Sequence, residues 1–271
     1  MEDWVRHTGF AEPGGHAQAI AALTSDPKSL LSVVRGLLIH SDFLPIYGLQ
    51  EEVFSYVSRQ TLSLEKRLDQ VLEIDKRSLS IARTFTSRGV GTCRDYAVMT
   101  CGMLRSKSVP ARVRCGFAKY FVAGRFEDHW ICEYWRRNDR RWARADAQLD
   151  ERHQQHLKIS FDTSDLPAEE FLTAAEAWRI HRGVGRPAEL FGHGDAMGEW
   201  FMWVNLARDY LALHNHETST WDTWRVEPAK SRKLNSSDRE VCDEIASRIV
   251  AVDQQPLATD DMLDVIPFWL K

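Results

Sequence analysis

The chain has no apolar run long enough to span a bilayer. About 18 consecutive apolar residues are needed, and the longest stretch, 30–39, is broken by Ser32, Arg35 and Gly36. The opening Met1-Glu2-Asp3-Trp4 lacks the basic and apolar blocks of a signal peptide. Cysteine is sparse and odd in number, with only Cys93, Cys101, Cys115, Cys132 and Cys242. That is too few for a secreted disulfide scaffold. These absences predict a cytoplasmic protein with no membrane partner. There is no excess of positive charge either. A net charge of −4 and a pI near 6.2 argue against nucleic acid held by bulk charge. No CxxC or HExxH pair is present, so no metal site is expected. The segment Gly192-His193-Gly194-Asp195 is not GxGxxG and follows no clear strand, which leaves no predicted cofactor. It reads instead as a loop able to cover a cleft. Internal repeats and low-complexity tracts are absent.

What remains is an ordinary globular composition of 271 residues, 44% hydrophobic and 27% charged. Such a chain can bury a core without covalent staples, and it reads as one domain, 1–271. Ten tryptophans stand out. Trp130, Trp135 and Trp142 form one group, and Trp200, Trp203, Trp221 and Trp224 another. Core packing is the plain reading, and an apolar wall beside a substrate cleft is the alternative.

The pattern predicts an α+β fold. Residues 1–86 read as mostly helical, with a helix start at Ser25-Asp26-Pro27 and another at Thr61–Glu65. A loop at 87–91 precedes a helix over 92–107, where Cys93, Ala97, Thr100, Cys101 and Leu104 share a stripe. Three strands follow, at 111–118, 128–137 and 140–147. Asn138-Asp139 suits a tight hairpin between the last two. Helices are predicted over 168–181, stopping at Gly183, over 197–213, and over 236–252, capped by Ser236 or Ser237 and ending near Pro256.

The order Cys93, His129, Asp146 carries the chemistry. Cys93 is placed at a helix start behind Gly89 and Gly91. A helix N-terminus favours thiolate over thiol, and its unpaired N–H groups can receive an oxyanion. A two-residue turn at 138–139 pairs positions whose numbers sum to 277. His129 then faces 148 and Asp146 faces Ile131, leaving His129 and Asp146 diagonal neighbours roughly 7–8 Å apart at Cα. A thiol nucleophile, a base within reach and an orienting carboxylate are the parts that covalent catalysis needs. Taken singly, each residue has a plainer role: a small buried thiol, a core histidine, a turn carboxylate. Asp150 is the alternative orienter if the register is shifted.

Here the residues resemble a family. Gly91-Thr92-Cys93-Arg94-Asp95-Tyr96-Ala97 resembles the nucleophile segment of bacterial transglutaminase-like proteins. Val109-Pro110-Ala111-Arg112-Val113 looks like the start of the strand after their cysteine helix. Asp128–Trp135 is similar to their histidine strand, and Arg141–Ala147 to their aspartate strand. The resemblance covers about 87–148, with helical extensions over 1–86 and 149–271. It implies a papain-like core with Cys93 as nucleophile, His129 as general base and acid, and Asp146 as orienter. The expected activity is cysteine-dependent acyl transfer through a Cys93 thioester, on a peptide or small-molecule amide or ester. Hydrolysis is favoured because water needs no second binding site. An amide-forming acyltransferase is the alternative, and a non-catalytic binding module or a zinc-stabilised structural protein stand behind it. Oligomeric state is not legible in the sequence.

Three further clusters have plainer readings. His153-Gln154-Gln155-His156 reads as an exposed turn. Arg136, Arg137, Arg140, Arg141 and Arg144 read as solvated hairpin charges, with recognition of an acidic substrate group as the alternative. Asn205, Arg208, Asp209, Trp221 and Asp222 read as a buried ion-pair network rather than a pocket lining.

Overall fold

Capping residues set most of the helix starts. Asp26 caps α2 (Pro27–Leu37) by accepting from the Ser29 N–H, and the proline takes the position where a missing N–H costs nothing. Ser63 caps α3 (Leu64–Ile74) through the Lys66 N–H. Before α2 lies the short α1 (Ala17–Ala21). The computed structural model describes residues 2–7, 9–54, 58, 61–219 and 233–252. They form two compact units. The first comprises 1–113 and 131–167, the second 114–130 and 168–271.

In the first unit two three-residue strands, β1 (Leu38–His40) and β2 (Gly89–Gly91), pair in parallel, His40 opposite Gly91. Residues 89–91, where a loop is expected, thus form a strand. The strand pairs with residues 50 positions away, a partner no local pattern announces. β2 leads directly into α4 (Cys93–Arg105), which packs against α2 and α3. Gly102 makes that approach possible. A Cβ there would sit 2.4 Å from Leu64 Cδ2 and 2.6 Å from the Ala11 carbonyl oxygen, so the helix-propensity cost of glycine is offset by close packing. Ile39, Leu44, Tyr47, Phe54 and Val90 build an apolar cluster beside the β1–β2 pair.

Strands β3 (Ala111–Ala118) and β4 (Phe126–Arg136) run through both units. In the first, the end of β4 pairs with β5 (Arg141–Ala145), Cys132 opposite Ala145 and Arg136 opposite Arg141. Every pair sums to 277, as expected, but the connection has four residues and Arg140, not Asn138 or Asp139, takes the positive φ of 53°. Trp142 stacks edge-on against Trp4 and Trp135, with the Arg112 guanidinium 4.1 Å from its ring centroid. α5 (Glu151–Leu157) closes this unit.

In the second unit β3 pairs with β6 (Phe171–Thr173), and the start of β4 pairs in parallel with β7 (Phe191–His193). β7 turns tightly into β8 (Ala196–Met197), so 192–195 belongs to a β-hairpin rather than a free loop. Helices α6 (Ala174–Val184), α7 (Glu199–Leu213) and α8 (Ser236–Ala251) pack on one another. α6 starts later than predicted, at the Thr173–Glu176 capping box, and stops at Gly185 in the left-handed conformation rather than at Gly183. α8 is capped by Asn235 with Asp238, not by a serine. Trp221, Asp222, Trp224 and Pro256 lie outside the described residues. The architecture is α+β, with helices before and after the strand-rich middle.

Candidate functional site

Cys93 is the first residue of α4. Thr92 is extended ahead of it, and the Asp95 carboxylate reaches back to accept the Thr92 N–H at 2.7 Å. In the first turn the Cys93 N–H has no intrahelical partner. Cys93 is half-buried, whereas Cys101, Cys115, Cys132 and Cys242 are buried. Burial pushes the Cys132 thiol well up, aided by its hydrogen bond with Cys101, and likewise raises Cys242. These are inert thiols. The helix start is braced from α3. Arg67 and Asp95, both buried, pair at 3.0 Å, and Arg67 also donates to the Val90 carbonyl of β2. Nothing in the local sequence pattern singles out Arg67, because its partner lies on another helix 28 positions away.

Asp146 follows β5 directly and is 1% exposed. Its N–H donates to the Thr163 carbonyl at 2.9 Å, its Oδ1 accepts the Gln148 N–H at 2.8 Å, and Arg35 donates to its carbonyl oxygen at 3.1 Å. Cys93 and Asp146 belong to the first unit. His129 belongs to the second, on β4, and is buried among aromatic rings. Phe121 meets it at 4.8 Å, Tyr120 at 5.9 Å and Phe171 at 6.4 Å between centroids, all edge-on. Those three rings were missed because Tyr120 and Phe121 sit in a connection and Phe171 in a strand too short to show a period.

Asp150 is engaged elsewhere. It caps α5 by accepting from the Arg152 and His153 N–H groups, and it also accepts from Tyr47 at 2.8 Å. Burial alone would raise its carboxyl, but the hydrogen bonds from His153 and Tyr47 carry it down to about 2. His153 corrects the exposed-turn reading. It is fully buried, with Nδ1 3.0 Å from both Asp150 Oδ1 and the Tyr47 hydroxyl. Around the hairpin, Arg136 and Arg141 both pair with Asp165, and Arg144 with Glu133. In the second unit Asn205, Arg208 and Asp209, three of the five residues expected in a network, are buried in one, while Trp221 and Asp222 lie outside the described residues. Arg114 grips Asp209 through two bonds of 2.9 and 2.8 Å, the Cys115 N–H joins at 2.9 Å, and Asn205 donates to Asp128 at 2.8 Å beside Arg208. Among the described residues no group of three or more His, Cys, Asp or Glu side chains could hold a metal ion, and no helix is long and apolar enough to cross a membrane.

Residues 48–147 match the family model of the transglutaminase-like superfamily. That stretch is similar to a transglutaminase-like core. That core begins well before the motif segment from 87 and takes in α3, β2 and the Arg67–Asp95 brace. Cys93 and Asp146 both fall within it, as does His129. Among solved structures, the chain is similar to one described as a "putative cysteine protease" from Cytophaga hutchinsonii, at 12% identity and a TM-score of 0.38. The similarity covers 64% of this chain and 45% of that one, so the chain spans less than half of that protein's length. No curated protein matches the sequence.

Proposed function

We propose that the protein is a cysteine-dependent acyl-transfer enzyme in which Cys93, His129 and Asp146 form the catalytic triad. The carrying observation is Cys93 itself, a half-buried thiol on the first turn of α4 inside a transglutaminase-like core. The β4–β5 register supports the roles of the other two, because it is the pairing from which the His129–Asp146 diagonal follows. The buried aromatic surroundings of His129 limit its rotamers, which suits a base that must hold one orientation.

In this reading the Cys93 thiolate attacks an amide or ester carbonyl, and the Cys93 N–H receives the oxyanion. His129, having taken the thiol proton, gives it to the leaving amine or alcohol, and an acyl thioester remains. Water then attacks as His129 accepts its proton. The acid departs and the thiol is restored. Asp146 orients the imidazole and stabilises its charged form. The reaction is hydrolysis of a peptide or small amide or ester.

The test is intact-mass detection of an acyl adduct after exposure to a panel of peptide amides and small esters. A covalent adduct on Cys93, absent in Cys93→Ala while that variant keeps the wild-type unfolding midpoint, supports the assignment. Turnover by Cys93→Ala within tenfold of wild type overturns it. Partition of the thioester towards amide product at millimolar amine would replace hydrolysis with amide formation.

A further inference from the structure

Away from the proposed chemistry, the first unit contains a cavity of about 420 Å³. Its walls include Arg35 and Gly36 of α2, Phe85 and Arg88 ahead of β2, and Asp150 and Arg152 at the start of α5. Three guanidiniums thus converge on one space. Their counter-charges do not match them. Arg88 pairs with Asp150 at 3.3 Å. Asp150 is already saturated by Tyr47, His153 and two main-chain N–H groups. Glu151, also on the wall, is exposed and pairs with none of the arginines. Among the described residues neither Arg35 nor Arg152 has a carboxylate within ion-pair distance.

Arg35 is the anomaly. It is mostly buried, and its Nε is sealed from solvent without a hydrogen-bond partner. Among the described residues only Nη2 is engaged, on the Asp146 carbonyl and at 2.6 Å on the Thr163 hydroxyl. A guanidinium stays charged at neutral pH, and the cost of burying this one is offset only at a distance, by the Asp146, Asp150 and Asp162 carboxylates. Arg88 and Arg152 are held over the Phe85 ring, 4.8 and 5.7 Å from its centroid. That stacking fixes two long side chains before any ligand arrives. Phe85, Ala82 and Gly36 give the cavity an apolar side. Its volume exceeds what a bare inorganic anion fills and falls within the roughly 300–1,000 Å³ of small-molecule sites.

We propose that this cavity binds a small organic oxyanion, a carboxylate or phosphate monoester whose charge meets Arg35 and Arg152 and whose body lies along Phe85. None of the proposed triad residues lines this cavity, although Arg35 touches the Asp146 carbonyl from behind it. The experiment is calorimetric titration of the full-length protein with phenyl phosphate and, separately, benzoate, at ionic strength held constant with sodium chloride. Benzyl alcohol serves as the neutral control. Saturable binding with a Kd below about 1 mM is expected for at least one anion, and the anion that binds names the headgroup. Arg152→Gln, an exposed change that disturbs no hydrogen bond, should weaken it at least tenfold. Arg35→Lys, which keeps the charge but loses the planar fork, should weaken it as well. The proposal is overturned if neither anion saturates, if benzyl alcohol binds as well, or if Arg152→Gln binds unchanged.

Discussion

Asp146 and Asp150 lie four residues apart, and the protein treats them differently. Asp146 is sealed at the end of β5, with one oxygen on the Gln148 N–H. Asp150 is a cap, saturated by Tyr47, His153 and its own helix. Their substitutions should therefore separate. In a hydrolytic assay, His129→Ala is expected to lose about 10²–10⁴-fold in kcat/KM, the usual reach of a general base. Asp146→Asn should lose less, because it removes orientation and leaves the base. A greater loss from Asp150→Asn than from Asp146→Asn would shift the orienting role to Asp150. Asp150 should instead show itself in stability. Its folded pKa of about 2 lies below its ordinary 3.8, so the ionised carboxylate stabilises fully above about pH 4. That contribution, roughly 2 kcal/mol, is lost as pH falls through 4 towards 2. The unfolding midpoint of wild type should drop across that window. Asp150→Asn should start lower and fall less steeply between pH 4 and 2, and parallel curves would refute the linkage.

At the scale of elements, the decisive junction is β2 into α4. Asp95 caps the helix that begins with Cys93, and its buried carboxylate must be neutralised if the turn that carries Cys93 is to hold its shape. Arg67 supplies that neutralisation from α3. Arg67→Met leaves a buried carboxylate unpaired, and about 3–5 kcal/mol of stability should be lost. Cys93 should also react more slowly with iodoacetamide at neutral pH, and Arg67→Lys should recover part of that rate. An unchanged rate in a folded Arg67→Met would show that the brace serves packing alone. The sequence made the larger elements legible. The 111–118 strand, the cysteine helix and the 277-sum register all show in local alternation, in caps and in a turn. β1, β2, β6, β7 and β8 did not show, because runs of two or three residues carry no period and their partners are distant in sequence. His153 was misread for a related reason. A short helix gives too few turns to reveal its buried side, and its burial depends on Tyr47 and Phe43, over a hundred positions away. Of the site, the three residue types and their order were legible, whereas the Arg67 brace and the rings around His129 depend on tertiary placement.

At the scale of the whole molecule, the chain passes from the first unit to the second at 114, back at 131 and out again at 168. Neither unit is a continuous stretch. A fragment ending at residue 167 would keep Arg114 while losing Asp209, its buried partner, and would keep β3 while losing β6. Such a fragment is expected to lack a cooperative thermal transition, and a sharp melt near that of the full chain would disprove this. Within the first unit, Arg112 must wait for Glu133, Arg35 for Thr163, and Arg88 for Asp150. On a ribosome this becomes a delay. Residues 113 and 167 are separated by 54 positions, roughly 3–10 s of synthesis at about 5–20 residues per second. Within that interval Arg112 waits first for Glu133, Arg88 then for Asp150 and Arg35 last for Thr163, which makes the nascent N-terminal segment a natural client for a chaperone that holds unfinished chains.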